Sequence, residues 1–340
     1  MSKTLNRKSN MELLRIVAMF LVLVIHSDFY SLGIPTQELC QQSPGQVFGQ
    51  FFFQSISIVC VNVFILISGL FGIKPQYKTF SNFIFQCLFF SIGIYLICII
   101  TGLTNFSLKG IADCFFLTEN FWFIKAYIGL YLFAPIINTF IDTSSRKKVR
   151  NFLLAFFTFQ TIFAWFSNGA EFLLSGLNTL SFIGLYILAR YVRLYPNKYT
   201  MLSAKTYFFI FFLIATICAT ASFILTSYGI EFIIGRFYTY VSPIVILASL
   251  ILVLAFTKLN FTSKFINWVA CSSFAVYLLH MNPNIIGYFC KTVVNITQQY
   301  NGIILLLYLF AFLISVFIIS ILIDKVRIAI WTIINKTMIK

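Results

Sequence analysis

Only two histidines occur in this chain of 340 residues, and each closes an apolar run. The first run is Asn10-Met-Glu-Leu-Leu-Arg15-Ile-Val-Ala-Met-Phe-Leu-Val-Leu-Val-Ile-His26. Imidazole is the side chain whose ordinary pKa suits proton transfer near neutral pH. On a helix, Arg15 and His26 lie within about 20° of one face and about 16 Å apart along the axis. Glu12 falls about 40° from His26 on the same wheel. Ionisable groups are costly in lipid, so this polar face should turn inward to a cavity. A buried imidazole bonded to a neighbouring helix is the competing reading of His26, and snorkelling to an interface that of Arg15. Asp28, about 200° round from His26, reads as a polar helix end.

His280 ends the second run, Phe274-Ala-Val-Tyr277-Leu-Leu-His280-Met-Asn282-Pro283. Pro283 disturbs the backbone there and frees carbonyls that need partners. A structural role for His280 and a substrate contact are equally open, and its replacement is expected to cost less than that of His26. Two further stretches stand out. Asn62-Val-Phe-Ile-Leu-Ile-Ser68-Gly69 ends in small residues that permit close helix approach. Asn120-Phe-Trp122-Phe-Ile-Lys125-Ala-Tyr127 brings aromatic residues suited to an interfacial belt. Lys125 falls one turn inside an apolar helix, where a cation needs a carboxylate, water or an anionic ligand. Glu119 is too far round the helix to be its partner.

The elements that must hold these residues are membrane helices. Sixty per cent of the chain is hydrophobic, 10% is charged, and there are 43 Phe. Mean hydropathy is +0.94, whereas a soluble domain is about one quarter charged. A span needs about 20 apolar residues, and ten stretches qualify: 13–31, 50–72, 80–103, 121–140, 151–167, 172–190, 206–227, 238–256, 268–288 and 303–323. The run after the polar residues 1–10 lacks an A-x-A cleavage site and reads as a retained first helix. With the N-terminus in the cytoplasm, only Lys109, Lys125, Arg236 and Lys291 of the 24 basic residues fall outside. The other 20 fall inside, which supports ten helices with both termini in the cytoplasm. Residues 325–340 alternate basic and apolar types, with Trp331 among them, and read as a cytoplasmic interfacial tail. The whole of 1–340 reads as one all-α, multi-pass transmembrane domain.

Several chemistries lack a motif. The net charge of +15 is spread over membrane loops, so nucleic-acid binding is not expected. There is no G-x-x-x-x-G-K and no G-x-G-x-x-G. The eight cysteines show no zinc spacing, so no metal site is expected. Cys40, Cys114 and Cys290 lie nearer span ends, where one disulfide remains open.

At these residues the sequence resembles the membrane-bound acyltransferase 3 family, which includes bacterial O-acetyltransferases of surface polysaccharides. Arg15-x10-His26 resembles its first-helix motif, and Val61-Asn-Val-Phe-Ile-Leu-Ile-Ser68-Gly69 the end of its second helix. Phe121-Trp122-Phe-Ile-Lys125-Ala-Tyr-Ile-Gly-Leu-Tyr-Leu-Phe-Ala-Pro135 resembles its fourth-helix stretch. Tyr240-Val-Ser242-Pro243 and Tyr277-Leu-Leu-His280 resemble later landmarks. Each motif is weak alone; their order across ten spans is specific. The resemblance implies that His26 is the catalytic base and that Arg15 handles the acyl donor. Many members carry Arg-x-x-Arg in the loop after the second span. Here that loop reads Lys74-Pro-Gln-Tyr-Lys78, and two lysines would meet phosphate as point charges.

The expected reaction is transfer of an acetyl group from acetyl-CoA to a hydroxyl of a cell-surface carbohydrate or its lipid-linked precursor. Acetyl-CoA enters as co-substrate, with no bound cofactor. The partners are this donor, the sugar acceptor and the lipids of the plasma (inner) membrane. Asn62, Ser68, Trp122, Lys125, Tyr277 and His280 are candidates for contacting substrate or the transition state. The rival class is a transporter or flippase for a polar or lipid-linked sugar. Such folds often show internal repeats or paired broken helices, and this sequence shows one clear break, at Pro283.

Overall fold

A computed structural model describes residues 9–338 apart from residue 168. Lys3, Arg7, Lys8 and Lys340, counted in the charge tally, lie outside the described residues. The regular elements described are all helical. The main ones are α1 (Ser9–Ser27), α2 (Pro44–Ser57), α3 (Cys60–Phe71), α4 (Tyr77–Ile100), α5 (Trp122–Thr143), α6 (Arg146–Gln160) and α7 (Thr179–Leu194). There follow α8 (Ala204–Ser227), α9 (Pro243–Thr257), α10 (Lys264–Ala270), α11 (Phe274–His280), α12 (Ile286–Gln299) and α13 (Gly302–Met338).

Among the described residues, seven helical stretches are long and apolar enough to cross a membrane: Ser9–Leu32, Pro44–Phe71, Tyr77–Ile100, Trp122–Thr143, Arg146–Phe166, Ala204–Ser227 and Gly302–Asn335. Three of the ten expected spans take shorter forms. The sixth opens as a 3-10 turn, Glu171–Gly176, so its α-helix, α7, begins only at Thr179. The eighth is α9, 15 residues long. The ninth is broken into α10, α11 and α12 by turns around Cys271 and Pro283. Residues 325–338 continue α13 without interruption.

Local chemistry fixes the helix starts. Ser145, Asn178, Ser203 and Ser263 each accept a hydrogen bond from the backbone two or three residues on, satisfying donors that a helix leaves unpaired. Pro243 opens α9, where a missing N–H costs nothing. All eight cysteines are free thiols, so the disulfide left open by the sequence does not form.

α1 is fastened at both ends. Asn10 Nδ2 donates to Phe256 O at 3.0 Å and to Leu259 O at 2.9 Å. Ser9 Oγ donates to Asn267 Oδ1 at 3.0 Å. The far end meets α11. Gly69 lets α3 press against α7: a Cβ there would lie 2.5 Å from Tyr186 O and 2.7 Å from the Ala189 Cβ. This is the close approach that the small residues of that stretch suggested.

Arg327, in the stretch read as an interfacial tail, is 2% exposed. It pairs with Asp324 at 2.9 Å and donates to Asn82 Oδ1 at 2.8 Å. Gln86 Nε2 also donates to Asp324, at 2.9 Å. This network joins α13 to α4. Asp324→Ala should destabilise the fold by about 3–5 kcal/mol, because it leaves a buried guanidinium without its counter-charge. Unfolding of the detergent-solubilised variant checks this, and a change below about 1 kcal/mol would contradict a compensated buried pair.

Candidate active site

The two histidines meet where the last residue of α11 faces α1. Tyr277 O accepts from Met281 N at 3.1 Å as α11 stops. Asn282 Oδ1 then accepts from Asn284 N at 3.0 Å and Asn284 Nδ2 at 3.1 Å, holding the turn that contains Pro283. His280, 1% exposed, points back across the bundle at α1. His26 Nδ1 lies 2.9 Å from His280 Nε2.

The partners of the pair assign its tautomers. His280 Nδ1 lies 2.5 Å from Val276 O. A carbonyl only accepts, so His280 Nδ1 carries the hydrogen. Neutral His280 then has a bare Nε2, and His26 Nδ1–H donates to it. This leaves Nε2 of His26 with a free lone pair, as a general base requires. The edge of His26 is also packed by Tyr30, with ring centroids 5.2 Å apart.

His26 faces a narrow cavity of about 30 Å³, walled by Val22, Phe64, Trp122, Phe123, Phe274 and Tyr277 among others. That is room for about one water-sized group. The Tyr277 hydroxyl, beside the Phe123 backbone, makes no hydrogen bond of ordinary geometry. Phe121 directs Trp122 and Phe123 here from a left-handed backbone (φ +56°). A non-glycine residue pays about 1–2 kcal/mol for that conformation. Its buried ring, 6.3 Å from that of Tyr277, helps hold it.

The other expected residues are distributed unevenly. Trp122 and Tyr277 line the cavity beside His26. Asn62 is buried, donating to Tyr240 O at 3.0 Å. Ser68 donates to Phe64 O at 3.0 Å and lies 3.4 Å from the Tyr127 hydroxyl. Neither lines the cavity. Lys125, one turn into α5 as expected, is exposed and bonded to Thr118 O. Asp28 is buried at the end of α1, at the N-cap position of the following turn, Phe29–Leu32, and its side chain makes no capping bond there.

One and a half turns into α1 lies a second polar locality. Arg15 pairs with Glu12 at 2.5 Å, and its guanidinium sits 5.9 Å over the Phe71 ring. Arg193 of α7 sits at the same distance over the same ring and donates to Leu70 O. Arg190 pairs with Asp142 at 3.4 Å. Lys74 and Lys78 are exposed on the chain that follows. Sequence reasoning overlooked Arg190 and Arg193, treating both only as loop charges. Their Arg-x-x-Arg spacing at the end of a span was the available signal.

No curated protein and no solved structure gives a significant match to the chain. A family model described as an acyltransferase domain matches residues 8–325. That match takes in the whole helical assembly from α1 through most of α13, both histidines and the arginine cluster included, so the chain belongs to the membrane-bound acyltransferase 3 family.

Proposed function

We propose that this membrane acyltransferase is an O-acetyltransferase of a cell-surface carbohydrate or its lipid-linked precursor, with acetyl-CoA as donor and His26 as general base. The observation that carries the reading is the 2.9 Å contact between His26 and His280, which leaves His26 Nε2 free to accept a proton. His26 Nε2 takes the proton of the acceptor hydroxyl as its oxygen attacks the thioester carbonyl. A tetrahedral intermediate forms, and Tyr277 O–H, which lines the cavity beside His26, donates to its oxyanion. Collapse breaks the carbon–sulfur bond. The departing thiolate takes the proton back from His26, leaving an ester and free CoA. His280 holds the His26 ring and its tautomer throughout.

Donor phosphates are assigned to the cluster of Arg15, Arg190 and Arg193, with Lys74 and Lys78 beside it. Guanidinium groups suit bidentate phosphate contacts. The pantetheine arm would span the roughly 16 Å from Arg15 to His26. Arg15→Ala should raise KM for acetyl-CoA about tenfold or more, through loss of a charged hydrogen bond, while KM for the acceptor stays near its original value. Initial-rate kinetics with each substrate varied in turn checks this.

The reading includes ten crossings of the plasma membrane with both termini in the cytoplasm. Basic helix ends cluster in support of it: Arg15 and Arg193 meet at Phe71, and Arg146 lies 5.4 Å over Tyr195. Lys258 approaches Met201 at 3.7 Å, and Lys325 donates to Trp268 O at 2.5 Å. In that frame the 325–338 stretch lies at the inner interface, and His26 sits beyond the bilayer midpoint. A cytoplasmic donor then meets an acceptor entering from outside.

Right-side-out vesicles loaded with radiolabelled acetyl-CoA test the proposal. An impermeant oligosaccharide added outside should become acetylated, with one free thiol released per ester. Label crossing without thiol release would indicate a carrier. Acetylation only of acceptor placed on the donor's side would remove the through-membrane arrangement.

A further inference from the structure

A second cavity borders α1, apart from both the histidine pair and the arginine cluster. Val24, which lines it, faces about 200° away from His26 on the helix. The cavity encloses about 370 Å³, within the range of about 300–1,000 Å³ usual for small-ligand pockets. Leu305, Leu309 and Leu313, on successive turns of α13, form one wall. Its inner end is closed by Phe53 and Phe310, whose rings lie 5.9 Å apart. Gly45 and Gly49, one turn apart on α2, leave the opposite wall flat. A Cβ added to either meets nothing within 4 Å.

A single carboxylate lies in this apolar space. Asp28 is 5% exposed, and neither of its oxygens has a hydrogen-bond partner of ordinary geometry. The Gln50 amide lies beside it, but its Nε2 donates to Gly33 O at 2.9 Å. None of the described residues lining the cavity is Lys or Arg.

We propose that this cavity seats a single-chain amphiphile with a primary ammonium head, its chain against the leucine wall and its nitrogen on the Asp28 carboxylate. A buried carboxylate is costly without both counter-charge and hydrogen bonds. An ammonium supplies both, through three N–H donors. A hydroxyl supplies one donor and no charge. A phosphate head is repelled, so a polyprenyl-phosphate sugar carrier does not belong in this seat. The proposal stands independently of the acyl-transfer reading, because the cavity holds none of the residues assigned to that chemistry.

The test uses the full-length protein purified in a neutral detergent, with decylamine, decanol or decanoate at equal concentration. Decylamine should raise the melting temperature, and the other two should not. A diazirine-bearing decylamine should label the peptides containing Gly49 and Leu305–Leu313. Asp28→Asn should weaken decylamine binding about tenfold or more. Gly49→Leu fills the cavity from a wall with open space and should abolish labelling. Should Asp28→Asn fail to fold, Gly49→Leu carries the test. Protein in phosphatidylcholine vesicles, with and without stearylamine, identifies the source of the amphiphile. Protection from labelling by stearylamine assigns a single-chain amine held in the bilayer, and its absence assigns a short-chain amine taken from water. Equal protection by decanol or decanoate would overturn the proposal, as would unchanged decylamine binding in Gly49→Leu or in folded Asp28→Asn.

Discussion

His26→Ala is expected to abolish measurable acyl transfer, with kcat falling by about 10²–10⁴-fold, the usual contribution of a positioned general base. The loss should appear in single-turnover rates with saturating acetyl-CoA, because the donor phosphates are assigned to residues more than three helical turns away. Folding should persist: His26 is half-buried beside a small cavity, and α1 keeps its Ser9 and Asn10 anchors. Melting temperature and detergent-extracted yield separate the two effects. A folded His26→Ala protein turning over within about threefold of the original would remove the base from the mechanism.

His280→Ala should cost nearly as much, about 10²-fold or more in kcat, with KM for acetyl-CoA unchanged. Without His280 Nε2 as acceptor, nothing at 2.9 Å holds the proton on Nδ1 of His26. The ring is then free to take the tautomer that blocks Nε2. His280→Gln offers an amide oxygen to the same Nδ1–H and should restore part of the rate. Folded His280→Ala with unchanged kcat, and stability lowered alone, would instead mean that His280 only completes the broken helix. These outcomes differ from the sequence expectation, in which His280 mattered less than His26, because the expectation did not include their contact.

The residues show what a sequence of this kind makes legible. Arg15 and His26 share one helix, and helical periodicity alone relates them. Their partners do not share it. His280 is 254 residues from His26, and only the packing of α11 against α1 brings it there. Arg190 and Arg193 looked like topological charge until α3 and α7 closed on Gly69 and placed Arg193 against Phe71. Lys125 was legible locally: periodicity put it one turn into the helix, and α5, which begins at Trp122, carries it there. Its contact with Thr118 O was not, because Thr118 lies in the bend before the helix. Helical class and most span positions were readable from hydropathy. The shortness of α7 and α9 was not, because apolar runs extend through the turns that precede these helices. Residues 325–338 carry a change of composition without a change of backbone, and Arg327 is buried there because Asp324 lies one turn before it.

The double fastening of α1 has a consequence for donor choice. A helix pinned by Ser9 and Asn10 at one end and by the histidine contact at the other cannot slide or shorten between Arg15 and His26. It acts as a ruler. If donor phosphates bind Arg15 and the carbonyl meets His26, as proposed, an acyl donor must place the two about three helical turns apart at the same moment. Acetyl phosphate, whose charge adjoins its carbonyl, would touch only one mark at a time. A thioester on a long flexible arm would reach both, so on this proposal the donor is gauged by its length.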